Sequence, residues 1–250
     1  MKELLSCAMD IGEQMMISGA EVHRVEDSMN RICLAFGAVR VDCFIIPSSM
    51  VTTVYCADGS TYTQTRRIHA LGTNFHKLDR LNQLSRKICS EPMTTEQIQA
   101  EITAIVQSKT YPFWLECLAY AAIAGAFTLF FGGDFRQTMV SLLIGGLVRF
   151  LVLFSDRAVK NLIFSKLLST VSITAMAFLF FKLGIVAKVD EIIIGNIMLL
   201  ISGLGFTNAL RDLFTGDSIA GILRSLEAVL CAVAIAAGYF LFVFAVGGAL

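Results

Sequence analysis

The side chains best suited to chemistry crowd into one stretch, Ile201 to Arg224, between two long apolar runs. It carries Thr207, Asn208, Arg211, Asp212, Asp217 and Arg224. Read as helix, Asn208, Arg211 and Asp212 share one face at i, i+3 and i+4; Asp217, Gly221 and Arg224 share another at i, i+4 and i+7. Gly203 and Gly205 stand one turn earlier and would loosen the helix there. Ionised groups at the centre of a membrane helix cost about 2.5–3.5 kcal/mol, so they pair or face a wet cavity. Interrupted helices are tolerated where backbone lines such a cavity. The same spacing fits a cytoplasmic hairpin with interfacial ion pairs such as Arg211–Asp212 or Arg224–Glu227, and spacing alone leaves the two readings even.

A second polar patch is Glu21-Val22-His23-Arg24-Val25-Glu26-Asp27. His23 and Asp27 stand four apart on a helix and could form half a metal site. The stronger reading is the solvated face of an amphipathic helix with i,i+3 and i,i+4 ion pairs. His69 and His76 flank Gly72 without a carboxylate at short spacing. No G-x-S-x-G, Walker-type loop or H-E-x-x-H occurs, so the sequence makes no positive case for an enzyme, a metal or a cofactor. Seven cysteines, an odd number with no C-x-x-C pair, read as buried thiols in a reducing compartment.

These residues are set in a chain built for two solvents. Hydrophobic residues make up 56% of it and charged residues 16%, against about 45–50% and about 25% in soluble domains. Eleven of the twenty Lys and Arg and twelve of the twenty acids lie at or before Lys109. Net charge is zero, which leaves no basic footprint for nucleic acid. The opening MKELLSCAMDIGEQMM carries Glu3, Asp10 and Glu13, reads as no signal peptide, and implies a cytoplasmic N-terminal domain.

The first 110 residues predict a small α+β domain. Apolar spacing predicts helices over Leu4–Ser18 and Ala20–Phe36, the second stopped by Gly37. Val39, Val41 and Cys43 alternate as a strand ending at Pro47. Met50–Cys56 and Thr61–Arg67 follow as a hairpin turned at Asp58-Gly59. Helices over about Asn74–Cys89 and Thr95–Ser108 close the domain, Thr94 and Gln97 having capping-box spacing.

Residues 111–250 predict a helical membrane bundle with spans at about 113–131, 138–154, 162–181, 192–209 and 228–246, near the roughly 20 residues a bilayer requires. With the N-terminal domain inside, cytoplasmic connections hold Arg149, Arg157, Lys160, Lys166, Arg211 and Arg224, and outer ones hold Arg136, Lys182 and Lys188. That bias supports this orientation and puts Leu250 outside.

Thr207-Asn208, Arg211-Asp212-Leu213, Gly216-Asp217, Gly221 and Arg224 resemble the signature of the bacterial threonine/serine exporter family. Ser18-Gly19-Ala20-Glu21, with Arg24, Glu26 and Gly37, resembles that family's N-terminal domain. One departure is Ser202-Gly203, where the family usually has a proline before the glycine; the whole membrane half lacks proline, so a break in the fourth helix must rest on Gly203 and Gly205. Full-length members look like two fused five-span halves. In split members a chain like this one is similar to the larger subunit, its partner is a small five-span membrane protein, and such pairs have been linked to succinate-type dicarboxylates.

The resemblance implies secondary efflux of a small polar metabolite, threonine or serine or else a C4 dicarboxylate, across the bacterial inner membrane and without ATP. A homo-oligomer of the pair is compatible with it. Arg211 would clamp a substrate carboxylate, with Thr207 and Asn208 bonding an amino or hydroxyl group. Asp212 or Asp217 would carry a coupling proton or, with Arg224, pair helices. The rival readings are a membrane-tethered enzyme and a metabolite-sensing regulatory subunit.

Overall fold

The computed structural model describes residues 1–69, 71–108, 111–158 and 161–246, with backbone alone at 155–158. Lys109, Thr110, Lys160, Leu250 and the side chain of Arg157 lie outside the described residues. The chain forms two compact units, one of Met1–Thr110 with Leu204–Ser225 and one of Tyr111–Gly203 with Leu226–Leu250.

The segment Leu204–Ser225 completes the first unit, whose N-terminal stretch is a three-stranded antiparallel meander with four helices. Its elements are α1 (Lys2–Ile17), α2 (Val22–Ala35), β1 (Ala38–Ile46), β2 (Ser49–Cys56), β3 (Thr61–Arg67), α3 (Phe75–Ser90) and α4 (Thr95–Gln107). Pairing Val41 with Val54 and Val54 with Tyr62 sets the register. Helix α1 is the axis: it packs on α2, α3, α4, β2 and β3. Its buried Leu5, Met9, Ile11, Met15 and Met16 therefore point several ways. Burying a side chain of that size stabilises by about 1.5–3 kcal/mol. Gly12 lets α2 and the sheet close in, since a Cβ there would strike Met29 Sδ and Met50 Cε. Arg66 of β3 reaches Asp10 of α1 at 2.8 Å. Thr94 and Gln97 close a capping box at the start of α4. Helix α2 starts at Val22 rather than Ala20 because Gly19, at φ +94°, turns the chain first.

The second unit holds α5 (Phe113–Phe130), α6 (Phe135–Ala158), α7 (Leu162–Lys182), α8 (Asp190–Ile197) and the later part of α10 (Ser218–Ala245). Among the described residues four helices, α5, α6, α7 and α10, are long and apolar enough to cross a membrane. The expected fourth span over 192–209 is not one helix. Helix α8 stops at Ile197, and Leu199 N and Leu200 N donate to the carbonyls of Asn196 and Ile197, a tightening to i→i−3 bonds. A separate helix, α9 (Gly203–Thr215), begins after Ser202. The break thus falls before the two glycines expected to cause it, and Gly203 instead opens the next helix.

Close approach of α5, α6 and α8 depends on absent side chains. A Cβ on Gly145 would strike Ala124 Cβ and the Tyr120 carbonyl, and one on Gly195 would strike the Thr128 backbone. In their midst Asn196 Nδ2 donates to Ser141 Oγ at 2.8 Å and to the Ile192 carbonyl at 2.9 Å; Thr128 Oγ1 lies 2.6 Å from Ser141 Oγ. All three residues are fully buried. Such hydroxyl and amide bonds hold apolar helices together where water is absent. Nearer one end, Arg149 Nε donates to Glu116 at 2.8 Å.

Candidate functional site

The signature residues converge on the turn before α2. That turn, Ser18–Glu21, is fixed from behind: Gly72 N donates to the Ile17 carbonyl and Asn74 N to the Ser18 carbonyl, both at 3.0 Å. Gly19 is required there, since any side chain would face both its positive φ and the Gly72 carbonyl 2.9 Å from the Cβ position. Helix α2 then begins with Glu21 as N-cap and with no side-chain cap of its own. A helix start leaves N–H groups unsatisfied and carries a partial positive charge.

Helix α9 and the first turns of α10 supply what is missing. Asp212 Oδ1 accepts the Val22 N–H at 3.3 Å, so a carboxylate 190 residues away caps α2. Asn208 Nδ2 donates to the Gly19 carbonyl at 3.1 Å, and Arg224 Nη2 to the Ala20 carbonyl at 3.0 Å. Arg211 Nη1 donates to Glu21 Oε1. Arg224 Nη1 and Asp212 Oδ2 face each other at 3.2 Å, side chains 8% and 1% exposed. Gly221 makes this geometry reachable, because a Cβ on it would strike the Leu213 N and the Ala209 carbonyl. Ala220 joins the apolar core of the unit.

Of the residues expected in a site, Asn208, Arg211, Asp212 and Arg224 are thus brought together on Gly19–Val22. Thr207 is exposed on α9, and Asp217 lies in the connection before α10. The ion pairs formed are Arg211–Glu21 and Arg224–Asp212, neither of those that local spacing suggested. Burial pushes the Asp212 carboxyl above the usual carboxylate range, against the pull of Arg224 and the Val22 N–H.

Asp217 acts through space on Glu26, a residue named by the family resemblance but given no role by it. Glu26 of α2 accepts the Ile45 N–H at 3.1 Å. Burial first, then the Asp217 carboxylate, push its pKa up to about 7; the Ile45 N–H and His23 oppose the rise. Sequence gave no signal for this, since Glu26 sits in what reads as a solvated face. Asp27 does pair in that way, with Arg31 at 3.0 Å. Among the described residues no group of three or more His, Cys, Asp or Glu side chains is gathered as a metal would need.

A family model described as "Putative threonine/serine exporter" matches residues 6–247. The chain is 22% identical over 242 residues to the "Threonine/serine exporter" of Corynebacterium glutamicum, covering 94% of this chain and 50% of that protein. It is 20% identical over 243 residues to the "Probable threonine/serine exporter" of Mycobacterium tuberculosis, covering 95% and 45%. The chain therefore spans about half the length of the curated relatives it matches. No solved structure matches it. The family is one of exporters and not of enzymes, and the four long apolar helices are those of a multi-pass membrane protein. With nearly its whole length matched, this chain belongs to the threonine/serine exporter family.

Proposed function

We propose that this chain is a secondary efflux transporter subunit that exports a small polar metabolite, threonine or serine or a C4 dicarboxylate such as succinate. The observation that carries the reading is the family match over residues 6–247. What the remaining length of the relatives contributes comes, in this reading, from a small five-span membrane protein of the same family. The pair sits in the bacterial inner membrane with the N-terminal domain in the cytoplasm. Five crossings are retained if the fourth is α8 plus the turn after it. Eight helical residues, three tightened ones and the two before Gly203 reach about 25 Å, a few ångström short of the ~30 Å hydrocarbon core, a mismatch that local thinning of the bilayer accommodates.

The signature supports a particular way of taking up substrate. Arg211 is 62% exposed and its guanidinium is held by Glu21, a carboxylate. A substrate carboxylate competes with Glu21 for the same fork, while Thr207 and Asn208 address its amino or hydroxyl group. Displacing Glu21 loosens the Gly19–Val22 turn, which ties substrate arrival to the state of the N-terminal unit. In this reading Asp212 or Asp217 carries the coupling proton.

The test is counterflow of labelled threonine, serine and succinate in vesicles holding this chain with and without the small partner. Exchange of one substrate only with both present supports the reading; a verified, assembled pair that moves none of the three overturns it. Glu21→Gln separates the roles of Arg211. If substrate competes with Glu21, this variant lowers the half-saturating substrate concentration while Arg211→Ala raises it. Equal loss in both would make Arg211 a docking residue alone.

A further inference from the structure

Helix α9 is too short to cross a bilayer: thirteen residues reach about 20 Å. Its residues divide into three arcs. Asn208, Ala209 and Asp212 face the N-terminal unit. Thr207, Arg211 and Thr215 form a polar flank. Phe206, Leu210 and Phe214 recur at i, i+4 and i+8 as an exposed apolar stripe, Phe214 being 88% exposed. Among the described residues of the unit, none covers that stripe. Two turns on, Ile219, Ile222 and Leu223 are exposed in the same way on α10, a helix long and apolar enough to cross the membrane.

We propose that α9 lies in the plane of the membrane surface, its Phe206–Leu210–Phe214 stripe sunk at the boundary between headgroups and acyl chains. The occupant of the stripe is lipid, because exposed apolar side chains resume on the membrane-length helix α10, which begins only three residues after α9 ends. A helix with an apolar face on lipid and a polar face elsewhere binds at that depth. Here the polar face is already taken by the Gly19 carbonyl and the Val22 N–H, so α9 joins the N-terminal unit to the bilayer as a two-faced adaptor. Arg211 and Thr207 then stand at the waterline on its flank, within reach of a soluble carboxylate.

The depth can be read by fluorescence. Trp114 is the sole tryptophan, so Trp114→Phe clears the background, and Phe214→Trp or Leu210→Trp places a reporter on the stripe of the full chain. Each variant is reconstituted into phosphatidylcholine–phosphatidylglycerol vesicles with bromine near the headgroup end or near the end of the acyl chain. Burial of about 5–10 Å predicts that shallow bromine quenches both reporters at least about twofold more than deep bromine. Stronger quenching by deep bromine would place α9 across the bilayer and overturn the proposal. Quenching by neither label would show protein covering the stripe, a partner or another part of this chain, and would overturn it equally. Two reporters guard against one variant failing to fold.

Discussion

Removing Arg224 while keeping Asp212 should release the N-terminal turn. Asp212 is 1% exposed and has two favourable neighbours, the Val22 N–H and the Arg224 guanidinium. Arg224→Met, close in length and apolar, leaves the carboxylate buried against a single weak hydrogen bond. Breaking a buried pair in this way costs about 3–5 kcal/mol, most of it the uncompensated charge. Asp212→Asn added to Arg224→Met removes that charge and keeps an acceptor for Val22, so the double variant should recover more than half of the loss. The readout is amide exchange at Val22 and its neighbours, in the full chain in lipid or detergent. At about 1.4 kcal/mol per tenfold, the single variant should exchange two to three orders of magnitude faster there.

The pH dependence has a definite sign. Burial already holds the Asp212 carboxyl above its ordinary range, and losing Arg224 raises it further. A proton neutralises it without removing the acceptor oxygen. Docking in Arg224→Met should therefore be tight at low pH and lost as pH rises through the raised pKa. Equal exchange in the single and double variants, or no pH dependence in the single one, would show that the pair does not hold the turn.

Three further outcomes are expected. Glu26, pushed up to about 7 from an unfolded value near 4.5, binds its proton more readily in the folded unit; its contribution to stability should be full below about pH 4.5, fall by roughly 3 kcal/mol as pH rises to about 7, and level off above that. Glu26→Gln should flatten that part of a denaturation-against-pH curve. Gly221→Ala drives a methyl into the Leu213 N and Ala209 carbonyl, so it should destabilise the first unit by about 1–3 kcal/mol in thermal unfolding. Asn196→Ala removes two buried hydrogen bonds in the second unit and should lower its detergent stability by about 0.5–2 kcal/mol.

The elements of the first unit were largely legible in the sequence because each is specified by neighbours. Alternation at Val39–Cys43, Asp58-Gly59 between two β-branched runs, and Thr94 three residues before Gln97 are short-range signals, and β1, the β2–β3 turn and the α4 cap follow them. The arrival of α9 at α2 has no such signal. Glu21 and Asp212 stand 191 residues apart from one another only in number, and no period or spacing links a helix start to the carboxylate that caps it. Local reading paired Arg211 with Asp212 and Arg224 with Glu227 for want of other partners. The break before Gly203 was misplaced for a different reason. The run from Ile192 through Leu200, apolar but for Gly195 and Asn196, says nothing about where its hydrogen-bond pattern changes, and the structure packs those two residues on Thr128 and Ser141 just before the change.

The cap that Asp212 provides also has a date. Ribosomes add about 5–20 residues per second, so the Val22 N–H waits roughly 10–40 s after its own synthesis before the carboxylate 190 positions later exists. During that interval α1 to α4 can fold and the long apolar helices α5 to α7 can enter the bilayer, with the Gly19–Val22 turn still bare. A nascent chain arrested before residue 208 should therefore present that turn to protease, while one released past Arg224 should not. The last contact of the first unit to form doubles as a signal that most of the membrane segment has been made.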